Sequence, residues 1–74
     1  MRLTTVASSM IHAVGYERAT RTLEVVFNSG QTYQYSDVPP EEYAGLRAAT
    51  SKGSHMRAHI IDMYEYTPLR HRRR

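Results

Sequence analysis

Three groups of side chains in this 74-residue chain have the types and spacing to do chemistry. Tyr33 and Tyr35 stand two apart, so on a strand both rings project from one face, leaving Gln34 on the other. They would either stack on unpaired bases or turn inward at the edge of a core. Packing is the stronger reading, because a small domain must bury one sheet face and alternating aromatic residues normally supply that area. Ser51, Lys52, Gly53 and Ser54 join two helical patterns. Free backbone N–H groups at a helix start, with the Lys52 ammonium beside them, could hold a phosphate or carboxylate. The stretch is not a P-loop, since the order Gly-x-x-x-x-Gly-Lys-Ser/Thr is absent. A glycine stop at Gly53 followed by a Ser54 cap accounts for two of the four residues without any ligand. His55 and His59 lie four apart with Asp62 three further on, a spacing that can bind a divalent metal. Arg57 intrudes and no general-base Glu follows the first histidine, so no metal is expected and His59 is expected to pair with Asp62 or to pack at a helix interface.

The formal charge of +3 is unevenly distributed. Arg70, Arg72, Arg73 and Arg74 crowd the C-terminal end, and the chain before them carries six basic and seven acidic residues, a net of −1. Polyanion affinity is therefore expected mainly from this tail, the alternative being a solvated terminus that aids solubility. Arg57 is the one strongly basic residue of the second helical pattern. Asp62 and Glu65 accompany it, which argues against that helix entering a DNA groove.

Composition excludes several classes of function. A chain of this length makes one domain with little room for an enclosed substrate cavity. With no cysteine there is no disulfide framework, thiolate zinc site or catalytic thiol, and the cytosol is the expected compartment. No apolar run approaches the roughly 20 residues of a membrane span. Scattered Ser, His and acidic residues form no nucleophile elbow or paired carboxylates, so neither catalysis nor a cofactor is expected.

The elements that must position these groups follow from periodicity. Residues 1–9 show no sustained period and read as a lead-in. Met10 to Tyr16 is the first strand candidate. Thr22 to Asn28 alternates clearly, with Leu23, Val25 and Phe27 on one face, and Gln31 to Ser36 resumes the alternation after a Ser29-Gly30 turn. Pro39 and Pro40 end the sheet and start a helix whose first turn holds Glu41 and Glu42 and whose apolar stripe is Tyr43, Leu46 and Ala49. Met56, Ile60, Met63 and Tyr64 mark a second amphipathic helix, and Pro68 ends the ordered region. The expected architecture is α+β: a three-stranded antiparallel meander followed by two helices packed on one face (βββαα), spanning residues 10–66, with a basic tail over 67–74. Its core is expected to comprise Ile11, Val14, Leu23, Val25, Phe27, Tyr43, Leu46, Met56, Ile60 and Met63.

The strand LEVVF, the run SGQTYQYSDVPPEEY, the loop ATSKGS and the helix start HMRAHI followed by Tyr64 occur in an order that resembles the KTSC domain. This small module is named for its place at the C-terminus of some lysyl-tRNA synthetases and also stands alone in bacteria and phages. The resemblance covers most of the chain and matches Tyr33, Tyr35, Val38, Pro39, Ser51, Lys52, Gly53 and Ile60 to the family pattern. His55 and Met56 stand where the family usually has aromatic residues, so no stacking role carries over to them. The synthetase association implies RNA as a partner. The expected function is thus a small non-enzymatic binding module, binding RNA weakly through Ser51, Lys52, Gly53, Ser54, Arg57, Tyr33, Tyr35 and the arginine tail. The alternative is a protein-interaction module using the sheet edge or a tyrosine patch. The oligomeric state is left open.

Overall fold

The computed structural model describes residues 3–6 and 8–69. Five strands form one antiparallel sheet in the order β1 (Thr4–Thr5), β2 (Ile11–Glu17), β3 (Thr22–Phe27), β4 (Thr32–Tyr35) and β5 (Tyr66–Leu69). Helix α1 (Pro40–Ala48), helix α2 (Lys52–His55) and a π-helical turn (Met56–Ile60) that continues α2 lie between β4 and β5 in the chain. No helix among the described residues is long and apolar enough to cross a membrane.

The three-stranded meander is thus corrected to five strands, and the order βββαα to one in which a strand follows the helices. Both additional strands are edges. Thr4 and Thr5 pair with Val14 and Ala13, and two residues are too few to show a period. Tyr66 to Leu69 pairs with Tyr35 to Thr32, with Pro68 opposite Tyr33. Pro68 therefore does not end the ordered region: proline cannot donate to a ladder, yet an edge strand can turn that missing donor toward solvent and keep its pairing.

The three central strands follow their periodicity. Leu23 and Val25 are fully buried and face Tyr35 and Tyr33 across β4 and Tyr16 and Val14 across β2. These residues share the sheet face that the helices cover. The hairpin between β3 and β4 turns at Gly30, whose φ of +99° suits the one residue type without a Cβ. After β4, Val38 is fully buried, its N–H donating to the Arg21 carbonyl and its own carbonyl accepting from the Tyr16 hydroxyl. Those two bonds fix the crossing from sheet to helix. Pro40 then opens α1, with Glu41 and Glu42 in its first turn.

The helical junction differs from the expected glycine stop and Ser54 cap. Ser51 is the cap, accepting from the Ser54 N–H, and Gly53 lies inside α2. A Cβ at position 53 would stand 3.1 Å from Met10 Sδ, so α2 packs closely on the side chain that precedes β2. The second helix also ends earlier than its stripe suggested. Ile61 is extended, Asp62 takes a φ of +72° and Met63 is 66% exposed instead of buried. The core comprises Ile11, Val14, Leu23, Val25, Tyr35, Val38, Leu46, Met56 and Ile60, with Phe27 and Tyr43 half-buried at its margin.

Candidate binding groove

Strand β5 converts the tyrosine pair of β4 into one wall of a groove. Tyr35 is 2% exposed and belongs to the core, whereas Tyr33 is half-buried and Tyr66, directly across from Tyr35, is 53% exposed. The Tyr66 ring lies 4.8 Å from that of Tyr33 and 5.8 Å from that of Tyr35, and Phe27 meets Tyr33 edge-on at 5.5 Å. Such offset and edge contacts hold rings in fixed orientations. These four aromatic residues, with Met10 and Ile61, line an open groove of about 540 Å³. Asn28, Gln31, Arg57 and Asp62 add polar groups to its lining.

The π-helical turn presents Arg57 to this groove. Inside α-helices such wide turns are rare and frequently mark functional sites. Arg57 is exposed and its guanidinium rests against Met10 Sδ at 3.6 Å. Burial, and then the neighbouring Tyr33, Tyr66 and Asp62, push the Tyr35 hydroxyl up to about 12. It therefore stays a neutral donor at any physiological pH. Elsewhere, burial and the carboxylates of Glu42, Asp37 and Glu41 raise Tyr64 above its ordinary value. None of these three acids lines the groove.

The other expected site residues are placed differently. Lys52 Nζ donates to the Ala49 carbonyl at 2.9 Å, closing the end of α1. The Ser51 and Ser54 hydroxyls bond each other at 3.0 Å, and Gly53 packs on Met10. Each residue of that loop is engaged by the chain itself. His55 Nε2 lies 3.5 Å from Glu42 Oε1 between the helices, and its ring sits 4.6 Å from that of His59. Asp62 instead faces the groove. Among the described residues no three His, Cys, Asp or Glu side chains are grouped to hold a metal. Arg70, Arg72, Arg73 and Arg74 lie outside the described residues.

The sequence reading missed Tyr66, Phe27 and Asp62 as groove residues. The exposed ring of Tyr66 had no signal of its own, because its neighbours Thr67 and Pro68 hid the strand that carries it. The recoverable hint was tyrosine two residues before a proline at a sheet-edge position.

A five-stranded antiparallel sheet with one helical layer and an aromatic groove open at the last strand defines a small α+β domain. The family is settled by comparison: the KTSC domain model matches residues 7–64, and the chain belongs to that family. The crystal structure of a KTSC domain protein from Yersinia pestis superposes with a TM-score of 0.90 at 31% identity, covering 92% of this chain and 96% of that one. A lysine-tRNA ligase from Nostoc punctiforme is 38% identical over 61 residues, 82% of this chain and 11% of the ligase. A protein from Tsukamurella paurometabola is 48% identical over 48 residues, covering 65% of this chain and 72% of its own length. The chain therefore spans only about a tenth of the ligase it matches.

Proposed function

We propose that this domain is a non-catalytic module that binds single-stranded RNA, taking an unpaired base against Tyr66 and Tyr33. The observation that carries this reading is the ring of Tyr66. It is 53% exposed, yet two neighbouring tyrosines hold it in place, so a base stacks on it without first ordering a loose side chain. Arg57 supplies a cation within the same groove. The tail residues Arg70, Arg72, Arg73 and Arg74 follow Leu69, which pairs with Thr32 beside the groove residues Gln31 and Tyr33. They are placed in sequence to add phosphate contacts. The similarity to part of a lysine-tRNA ligase supports an RNA setting.

Fluorescence anisotropy with a labelled single-stranded RNA hexamer at low salt tests the reading. The full chain should bind, and Tyr66→Ala should weaken binding while leaving the fold intact. Absence of RNA binding, together with a protein complex recovered from the host that survives high salt, would favour the protein-interaction alternative.

A further inference from the structure

We propose that the groove selects guanine over the other bases, the Asp62 carboxylate accepting from its N1–H and N2–H groups and the Arg57 guanidinium donating to its O6 and N7. This rests on the RNA-binding reading and names the ligand that the same groove takes.

The argument begins with a charge pair left apart. Arg57 and Asp62 both line the groove, yet among the described residues no ion pair joins them. The guanidinium lies on the Met10 sulfur, while the negative charge of Asp62 acts on the Tyr35 hydroxyl. Asp62 makes no hydrogen bond among the described residues, and its backbone is held at a φ of +72°, a region that side-chain-bearing residues enter at a cost. That backbone reversal, just past the π-helical turn, puts a carboxylate in a groove whose other lining residues, Arg57 apart, are aromatic, apolar or neutral.

A ligand suited to this groove must be flat, must offer donors to a carboxylate and must offer acceptors to a guanidinium. Guanine alone presents two parallel donors on its Watson–Crick edge and two parallel acceptors on the adjoining Hoogsteen edge. Arginine bridging O6 and N7 is the commonest specific contact to guanine. Uracil has a single N–H donor, adenine lacks O6, and cytosine crowds its donor and acceptors onto one edge.

The test uses the full chain and oligouridine hexamers carrying one central guanosine, adenosine, cytidine or inosine, read by anisotropy against the all-uridine strand. Guanosine should bind about tenfold tighter than the others. Inosine, which lacks the N2 amino group, should lose most of that preference. Asp62→Asn keeps a residue that tolerates positive φ. It should abolish the guanosine preference, the ratio of guanosine-strand to oligouridine affinity falling to about one. Equal affinity for all five strands, or a guanosine preference that survives Asp62→Asn, overturns the assignment and leaves Tyr66-dependent RNA binding standing. Failure to bind any of the five strands overturns both.

Discussion

Tyr35 and Tyr66 are cross-strand partners with rings 5.8 Å apart, yet one is 2% exposed and the other 53%. The pair divides labour, since the inner tyrosine belongs to the core and the outer one to the groove. Tyr66→Ala should therefore weaken binding to single-stranded RNA by about 1–3 kcal/mol, the worth of one stacked base. The same substitution should lower stability by about 1 kcal/mol or less, a shift that a thermal melt would show.

Tyr35 makes the fold sensitive to alkali. Its hydroxyl is pushed up to about 12 in the fold, against an ordinary value of 10.0 for a free tyrosine. The stabilisation is complete below pH 10 and is lost as pH rises from 10 towards 12, because the unfolded chain then gives up a proton that the fold retains. Each unit is worth about 1.4 kcal/mol, so the loss should reach at most about 3 kcal/mol. Urea unfolding across that range measures it, and Tyr35→Phe should flatten the profile.

Core substitutions should rank by burial. Leu46 is fully buried beneath α1, and Leu46→Ala should cost about 2–5 kcal/mol. Phe27, half-buried at the groove, should cost clearly less than the 3–5 kcal/mol of a central phenylalanine. Equilibrium denaturation of both variants checks the order, and a larger loss for Phe27→Ala would contradict the placement of the core.

The two helical glycines should respond differently to alanine. A Cβ at Gly53 meets the flexible end of Met10 at 3.1 Å, whereas one at Gly45 meets His55 Cε1 at 3.1 Å. The thioether can move aside, and alanine recovers up to about 1 kcal/mol of helix propensity, so Gly53→Ala should be near neutral. His55 is confined between Gly45, Glu42 and His59, and Gly45→Ala should destabilise. Paired thermal melts decide this.

How much of this was legible in the sequence depends on which residues carry a period. The alternation of Leu23 and Val25 placed β3 and its buried face, and Ser29-Gly30 placed its turn, because short-range sterics decide both. The shared face of Tyr33 and Tyr35 was equally legible. Their unequal burial was not, since it depends on β5, whose four residues include a proline and whose pairing is non-local. Lys52 read as a free cation because a side chain that caps the carbonyl of Ala49 looks the same in sequence as one that reaches solvent. Family membership was visible in the ordered motifs, and the groove became visible only once β5 was in place.

Removing Arg70 to Arg74 should separate general from local attraction. The formal charge falls from +3 to −1, and every groove residue described above is kept. If the four arginines contact phosphates, the dependence of log affinity on log salt should shallow by up to about 3, at roughly 0.7 per phosphate on a single strand. Binding that remains at low salt should still be lost with Tyr66→Ala.

The most direct test of the central claim, that the aromatic groove receives the base, is to follow backbone and side-chain amide resonances of the full chain while single-stranded RNA is added. The account predicts that Asn28, Gln31, Tyr33, Arg57 and Tyr66 shift together, while Gly15 and Glu24 on the opposite sheet face stay in place. Saturable shifts confined to the arginine tail, or to the Ser51–Ser54 loop, would contradict it.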